Sequence, residues 1–221
     1  MPIQKYGACG CRKEKKYMTD KRLLLLFVRN PELGKVKTRL AATVGPETAL
    51  EIYLHLLQHT RSVTEKLSVD KAVYYSDKVE LQDMWPDKVY QKKLQPAGDL
   101  GEKMAAAFEK AFTEGYTSVV IIGSDCQQLT QEIIERAFEE LKSHAVVIGP
   151  ALDGGYYLLG MNRLYPELFR NKHWSTKQVF PETIEDLQRL HVNYTLLPHL
   201  SDVDYLEDLE NPEEWLNQDN H

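Results

Sequence analysis

Leu23-Leu24-Leu25-Leu26-Phe27-Val28-Arg29-Asn30-Pro31-Glu32-Leu33-Gly34-Lys35-Val36-Lys37-Thr38-Arg39-Leu40 is the stretch from which the rest of the chain is read. Its opening residues, Leu23 to Val28, are apolar without interruption. That length suits a strand and falls far short of the ~18 residues of a membrane span. An apolar run with no alternation marks a strand covered on both faces, as in the interior of a parallel sheet. The residues after it are polar and carry Pro31, Gly34 and Gly45, so the segment Asn30 to Gly45 reads as a loop.

Outward from this strand the pattern alternates. From Pro46 the apolar positions Ala49, Ile52, Tyr53, Leu56, Leu57, Val63 and Leu67 recur at helical spacing, with Pro46 suited to the first turn. Strands are expected at Ala72–Tyr75, Lys88–Leu94, Val119–Ile122, Ala145–Ile148, Tyr156–Leu159 and Val192–Leu197. Helices are expected after the Gly98–Gly101 turn, on Met104, Ala105, Phe108, Ala111 and Phe112, and after Thr130, on Ile133, Ile134, Ala137, Phe138 and Leu141. Ser175 is the expected cap of a further helix bearing Val179, Ile184, Leu187 and Leu190, and the acidic end from Asp204 reads as helical. Strands separated by helices imply βαβ units. The expected fold is a three-layer α/β/α sandwich with a mostly parallel, Rossmann-like central sheet, in one domain over residues 21–221 behind a mobile basic tail over residues 1–20.

Composition narrows the function. The chain has 221 residues, 43% hydrophobic and 27% charged, the balance of a globular protein with a sizeable core. A net charge of −6 argues against a partner made of nucleic acid or an anionic membrane surface, either of which calls for a basic footprint. Cys9 and Cys11 find no second pair for a zinc site, and Cys126 stands apart in an apolar context. The first twenty residues hold no apolar core of a secretory signal. A cytoplasmic location is expected.

In open parallel sheets ligands bind beyond the carboxyl ends of the strands, so the residues after each strand carry the chemistry. After the first come Arg29, Gly34, Lys35, Lys37 and Arg39, the charges and free backbone N–H groups that a phosphate site uses. A solvated basic loop is the plainer alternative. The loop is not a Walker A sequence, since Val36 follows Gly34-Lys35. After the fourth strand comes Gly123-Ser124-Asp125-Cys126, where Asp125 either holds Mg²⁺ together with substrate phosphate or serves as a turn residue. After the fifth comes Leu152-Asp153-Gly154-Gly155, a hairpin turn or a close ligand contact. Gly98-Asp99-Leu100-Gly101 is a plain turn or a base- and sugar-contacting loop. Asp202 and Asp204 face one cation if the backbone is extended, and Asp204 is equally a helix cap. Trp174 stacks on a ring or fills the core.

Together these segments, with Glu102-Lys103-Met104, Pro150-Ala151, Tyr156-Tyr157 and Trp174-Ser175-Thr176, resemble the DUF2064 family, also called radical-SAM/selenodomain-associated transferases. The resemblance runs in order from about residue 22 to 210. It departs at Arg29, Lys103 and Gln127, where the family usually has Lys, Arg and Pro. It implies the GT-A fold of the nucleotide-diphospho-sugar transferase superfamily. The implied function is a metal-dependent transferase with a nucleotide-sugar donor, of glycosyltransferase type. A nucleotidyltransferase making its product from NTP and a phosphorylated acceptor is the alternative. It is suggested by Lys37-Thr38-Arg39-Leu40, similar to 2-phospholactate guanylyltransferases, and by Asp202-Val203-Asp204, similar to molybdenum-cofactor nucleotidyltransferases. A non-catalytic nucleotide-binding module is the remaining alternative.

On this reading Arg29, Gly34, Lys37, Thr38 and Arg39 bind the phosphates, and Gln95, Gly98, Asp99 and Gly101 contact base and ribose. Asp125, with Asp202 or Asp204, holds Mg²⁺ or Mn²⁺. Asp153, Gly154, Gly155, Trp174 and Ser175 face a small-molecule acceptor. Asp125, Asp153 and Lys37 are the expected catalytic groups, through charge stabilisation and positioning of the acceptor hydroxyl.

Overall fold

The structure, a computed structural model, describes residues 20–209, 211 and 212. The expected tail therefore lies outside the described residues, apart from Asp20, whose carboxylate accepts from Arg22 and Thr117. Among the described residues no helix is long and apolar enough to cross a membrane.

Strand β1 (Arg22–Val28) pairs in parallel with β2 (Asp70–Tyr75) on one side and β4 (Ser118–Ile122) on the other, which is why its apolar run needs no alternation. β3 (Tyr90–Leu94), β5 (Val146–Pro150), β6 (Tyr156–Met161) and β7 (Tyr194–Leu196) complete a seven-stranded sheet in the order β3-β2-β1-β4-β6-β5-β7. Only β6 runs antiparallel to its neighbours, β4 and β5. The expected mostly parallel α/β sheet is present.

Alternate residues of β1 serve two cores. Leu24, Leu26 and Val28 pack with Tyr53 and Leu57 of α2 (Pro46–Thr64) and Ile134 and Phe138 of α4 (Gln131–Glu140). Leu23 and Leu25 pack with Met104 and Phe108 of α3 (Leu100–Thr113) and Leu187 of α5 (Val179–Arg189). These are the two helical layers of the sandwich. A third, smaller cluster lies outside α2, where Leu40 meets Ala49, Ile52, Leu56, Val203 and Leu209.

Three expectations need correction. The segment 30–45 is not all loop: Thr38–Val44 forms helix α1, fixed by burial of Leu40 in the third cluster. Ser175 does not cap α5, because that helix opens at Val179 after Gln178, and Ser175 has φ 61° in the loop before it. In the acidic end, Leu206–Asp208 is a short 3-10 turn, and most residues beyond it lie outside the described ones.

Candidate functional site

The order β3-β2-β1-β4 reverses direction between β1 and β4, and the carboxyl ends of these strands open into a crevice at that switch point. A hollow of about 740 Å³ lies there, floored by Phe27 and Val28 of β1 and Ile121 and Ile122 of β4. A second, more polar hollow of about 450 Å³ lies under Lys37, Arg39, Asp153, Trp174 and Asp202. Arg29, Lys35, Tyr53, Leu100, Asp125, Tyr156 and Ser175 line both. Asp125 therefore stands at the junction of two chambers.

The frame of this junction is tied by side chains reaching between strand ends. Tyr53 of α2 accepts from the Arg29 N–H at 2.8 Å and lies 3.3 Å from the Ser124 hydroxyl, joining the exits of β1 and β4. Asn30, 3% exposed, accepts from the Asp77 N–H at 3.0 Å and donates to the Lys78 carbonyl at 2.9 Å, joining the exits of β1 and β2. The Gln95 amide donates to the carbonyls of Val28 and Tyr74, each at 3.2 Å. Those two acceptors orient the amide and so direct its oxygen away from the strand ends.

Two acidic segments meet at Asp125. The Val203 N–H donates to the Asp125 carbonyl at 2.8 Å, and burial of Val203 in the third cluster holds Asp202 and Asp204 beside the β4 exit. Lys37 Nζ lies 2.9 Å from Asp125 Oδ1 and donates to the Val203 carbonyl at 2.7 Å. Its side chain is 5% exposed, whereas that of Asp125 is 46% exposed. Arg39 pairs with Asp204 at 2.8 Å. Burial, then the negative charges of Asp125 and Asp153, push the Asp202 carboxyl up to about 7, with Lys37 opposing the rise.

Among the described residues no three His, Cys, Asp or Glu side chains are gathered as a metal cage. A site completed by substrate phosphate and water needs only one or two carboxylates. Asp125 and Asp202 supply hard oxygen donors at a place where negative charge is under-compensated, so the donor set fits Mg²⁺ or Mn²⁺. Asp204, committed to Arg39, is the weaker member of the expected trio.

On the opposite wall, Gly154 has φ 90° and a Cβ there would lie 2.5 Å from the Lys177 carbonyl oxygen, so the Asp-Gly-Gly turn is built against the loop before α5. Asp153 Oδ1 accepts from the Gly155 N–H at 2.8 Å while lining the polar hollow. Trp174 lies over Gly101, where an added Cβ would meet the indole at 2.4 Å. Asp99 caps α3 in a reciprocal box with Glu102.

The fold thus brings Arg29, Lys37, Thr38, Arg39, Asp125, Asp153, Gly155, Trp174, Ser175, Asp202 and Asp204 to the polar hollow and Gln95 to the larger one. Gly34, Gly98, Asp99, Gly101 and Gly154 line neither; they shape the loops behind it. Sequence reasoning gave no individual role to Tyr53, Asn30, Lys103 or Tyr156, whereas Lys35, read with the cations of the first loop, does line the cleft. Tyr53 falls on the apolar stripe of α2 and gives no sign that its hydroxyl reaches a strand end. Asn30, by contrast, was findable: it follows the last residue of a buried strand, where a side-chain amide can stand in for lost ladder partners.

The family model of uncharacterized proteins conserved in bacteria (DUF2064) matches residues 58–176. A solved structure from Desulfovibrio desulfuricans G20, provisionally named a nucleotide-diphospho-sugar transferase, is 33% identical. That match covers 90% of this chain and 87% of the other, with a TM-score of 0.77. A homologue of Mycobacterium tuberculosis Rv0371c from Mycobacterium sp. strain JC1 superposes with a TM-score of 0.53 at 15% identity, over 88% of this chain and 96% of the other. A cytidylyltransferase from Leptospira borgpetersenii gives 0.53 at 13% identity, over 85% and 83%. The last two are similar in fold alone. No curated protein matches the chain.

Proposed function

The chain belongs to the DUF2064 family, and from that premise we propose that it is a metal-dependent transferase that takes a nucleotide-sugar as donor. The observation that carries this reading is Asp125 at the junction of two chambers, one at the strand ends and one walled by cations and carboxylates. A transfer between two substrates needs such an arrangement: two binding volumes, with the stabilising charges where they meet.

The nucleoside occupies the larger chamber, against Phe27, Val28, Ile121 and Gln95. Its phosphates lie at the junction, within reach of Arg29 and Arg39. Asp125 and Asp202 hold the divalent cation, which when bound neutralises charge building on the departing nucleoside diphosphate. Thr38 stands at the start of α1 and lines the polar hollow beside Lys37 and Arg39. The acceptor enters the polar chamber between Trp174 and Asp153, and Asp153 positions or deprotonates its hydroxyl. Trp174 and Leu100 give this side its apolar lining.

The test is turnover of purified protein with nucleotide-sugars and with NTPs, reading nucleoside diphosphate and pyrophosphate separately. Metal-stimulated release of nucleoside diphosphate supports glycosyl transfer, and pyrophosphate release from NTP moves the assignment to nucleotidyl transfer. Asp125→Ala is expected to lower turnover at least ~100-fold, in line with loss of a principal transition-state charge contact. A folded Asp125→Ala protein with full activity overturns the assignment.

A further inference from the structure

Lys37 is an enclosed charge in the cleft, and its ammonium is already engaged. With its side chain 5% exposed, it spans from Asp125 Oδ1 at 2.9 Å to the Val203 carbonyl at 2.7 Å. It therefore bridges the two acidic segments at the wall of the polar hollow. Its backbone is left-handed, φ 46° and ψ 45°, a conformation that a long side chain rarely adopts and that persists when surrounding contacts over-determine it. Lys37 immediately precedes α1 and has no capping hydrogen bond from its own side chain. Its ammonium contacts Asp125 and the Val203 carbonyl, and its own carbonyl accepts from the Ala41 N–H at 2.8 Å. Arg39, two residues on, repeats the pairing at the rim with Asp204.

We propose that Lys37 is a built-in counter-ion that occupies the cation seat of Asp125 while the cleft is empty, and that bound phosphate draws it off, so that divalent cation and phosphate each favour the other's binding. The inference rests on the reading of Asp125 as a metal-holding residue. An Mg²⁺–oxygen bond is ~2.0–2.1 Å long, so an ammonium hydrogen-bonded to the same carboxylate would face the divalent ion across a few ångströms. In a half-buried cleft that repulsion is poorly screened. Lys37 must then leave, and the phosphate oxygens of a ligand in the hollow it lines offer an equivalent acceptor. Metal raises phosphate affinity by freeing the ammonium, and phosphate raises metal affinity by removing it. Such coupling is reciprocal by thermodynamic necessity.

The experiment is titration of Mn²⁺ alone, followed by electron paramagnetic resonance, into nucleotide-free wild type, Lys37→Met, Lys37→Arg and Asp125→Asn. Lys37→Met is expected to bind Mn²⁺ at least ~10-fold more tightly than wild type, and Lys37→Arg to bind within a few-fold of wild type. A second measurement needs no variant: acylation of lysines in wild type, read by peptide mass spectrometry. Saturating Mn²⁺ should raise labelling of Lys37 several-fold and leave exposed Lys66 unchanged. If Asp125→Asn abolishes Mn²⁺ binding while Lys37→Met binds no tighter and Lys37 labelling does not change, the counter-ion role is overturned and the metal reading stands. If Asp125→Asn leaves Mn²⁺ binding intact, or wild type and Lys37→Met both fail to bind it, the metal reading and this inference fall together.

Discussion

Asp202 carries the least favourable charge in the cleft, and its titration sets a sign that is easily tested. Burial and the neighbouring carboxylates of Asp125 and Asp153 raise its folded pKa to about 7 from an ordinary value of 3.8. The folded protein thus holds a proton that the unfolded chain has lost. Below about pH 4 both states are protonated and the stability contribution is full. It declines as pH rises from there to about 7 and is constant above. Asp202→Asn removes the dependence, and at pH 8 it should be more stable than wild type by on the order of 2 kcal/mol, discounted for the exposed part of the cleft. Thermal melts of both proteins from pH 4 to 8 check this; parallel curves would show that the carboxylate ionises freely. The same proton opposes a cation, so divalent-cation affinity should climb up to about pH 7 and then level. An affinity flat between pH 5.5 and 8 would remove Asp202 from the metal site.

At the scale of the element, the site is a set of loops pinned to one another, and Gly101 is the clearest pin. A methyl group there would meet the Trp174 indole at 2.4 Å, so Gly101→Ala must push the tryptophan off its seat on the first turn of α3. A loss of ~1–3 kcal/mol is expected, the usual cost of overpacking. In a Trp174→Ala background that loss should largely vanish, giving a strong coupling in a double-mutant cycle read by denaturant unfolding. Additive effects would place the indole elsewhere. Neither residue shows this partnership in the sequence, since one lies in the first turn of α3 and the other in the distant loop before α5. What the sequence makes legible is local. The buried run of β1, the turn before α3 and the helix opening at Thr130 all follow from neighbours in the chain. Helix α1 escapes notice because it buries Leu40 against Val203 and Leu209, which come from the far end of the chain. The direction of β6 is legible only through one of two alternatives, the hairpin reading of Asp153-Gly154-Gly155, which makes it antiparallel to β5 as found.

Across the whole molecule, the gathering of these loops at one cleft was legible because parallel topology obliges them to meet at one edge of the sheet, whatever their spacing in the chain. Their pairing was not. Lys37 and Arg39 read as free phosphate ligands, yet the fold sets each against an aspartate from another segment. The charge distribution carries a further consequence. The chain is net −6, yet Arg29, Lys35 and Lys103 line the larger chamber, and among the described residues Arg29 and Lys103 have no ion-pair partner. Two unpaired cations in a chamber that also holds Asp77 and Asp125 offer contacts to a polyanionic small molecule, while the acidic surface repels large polyanions. Nucleotide-sugars with Mg²⁺ should therefore stabilise the fold strongly, and duplex DNA should not. At ~100 times its dissociation constant a ligand contributes about 2.7 kcal/mol, roughly 5–10 °C in Tm for a domain of this size. The shift should shrink as salt rises from about 50 to 500 mM, because part of the attraction acts over a Debye length. A shift that ignores salt would assign binding to the apolar floor of the chamber alone, and no shift with any nucleotide, at low salt and with metal present, would leave the cleft without the ligand its cations are arranged to meet.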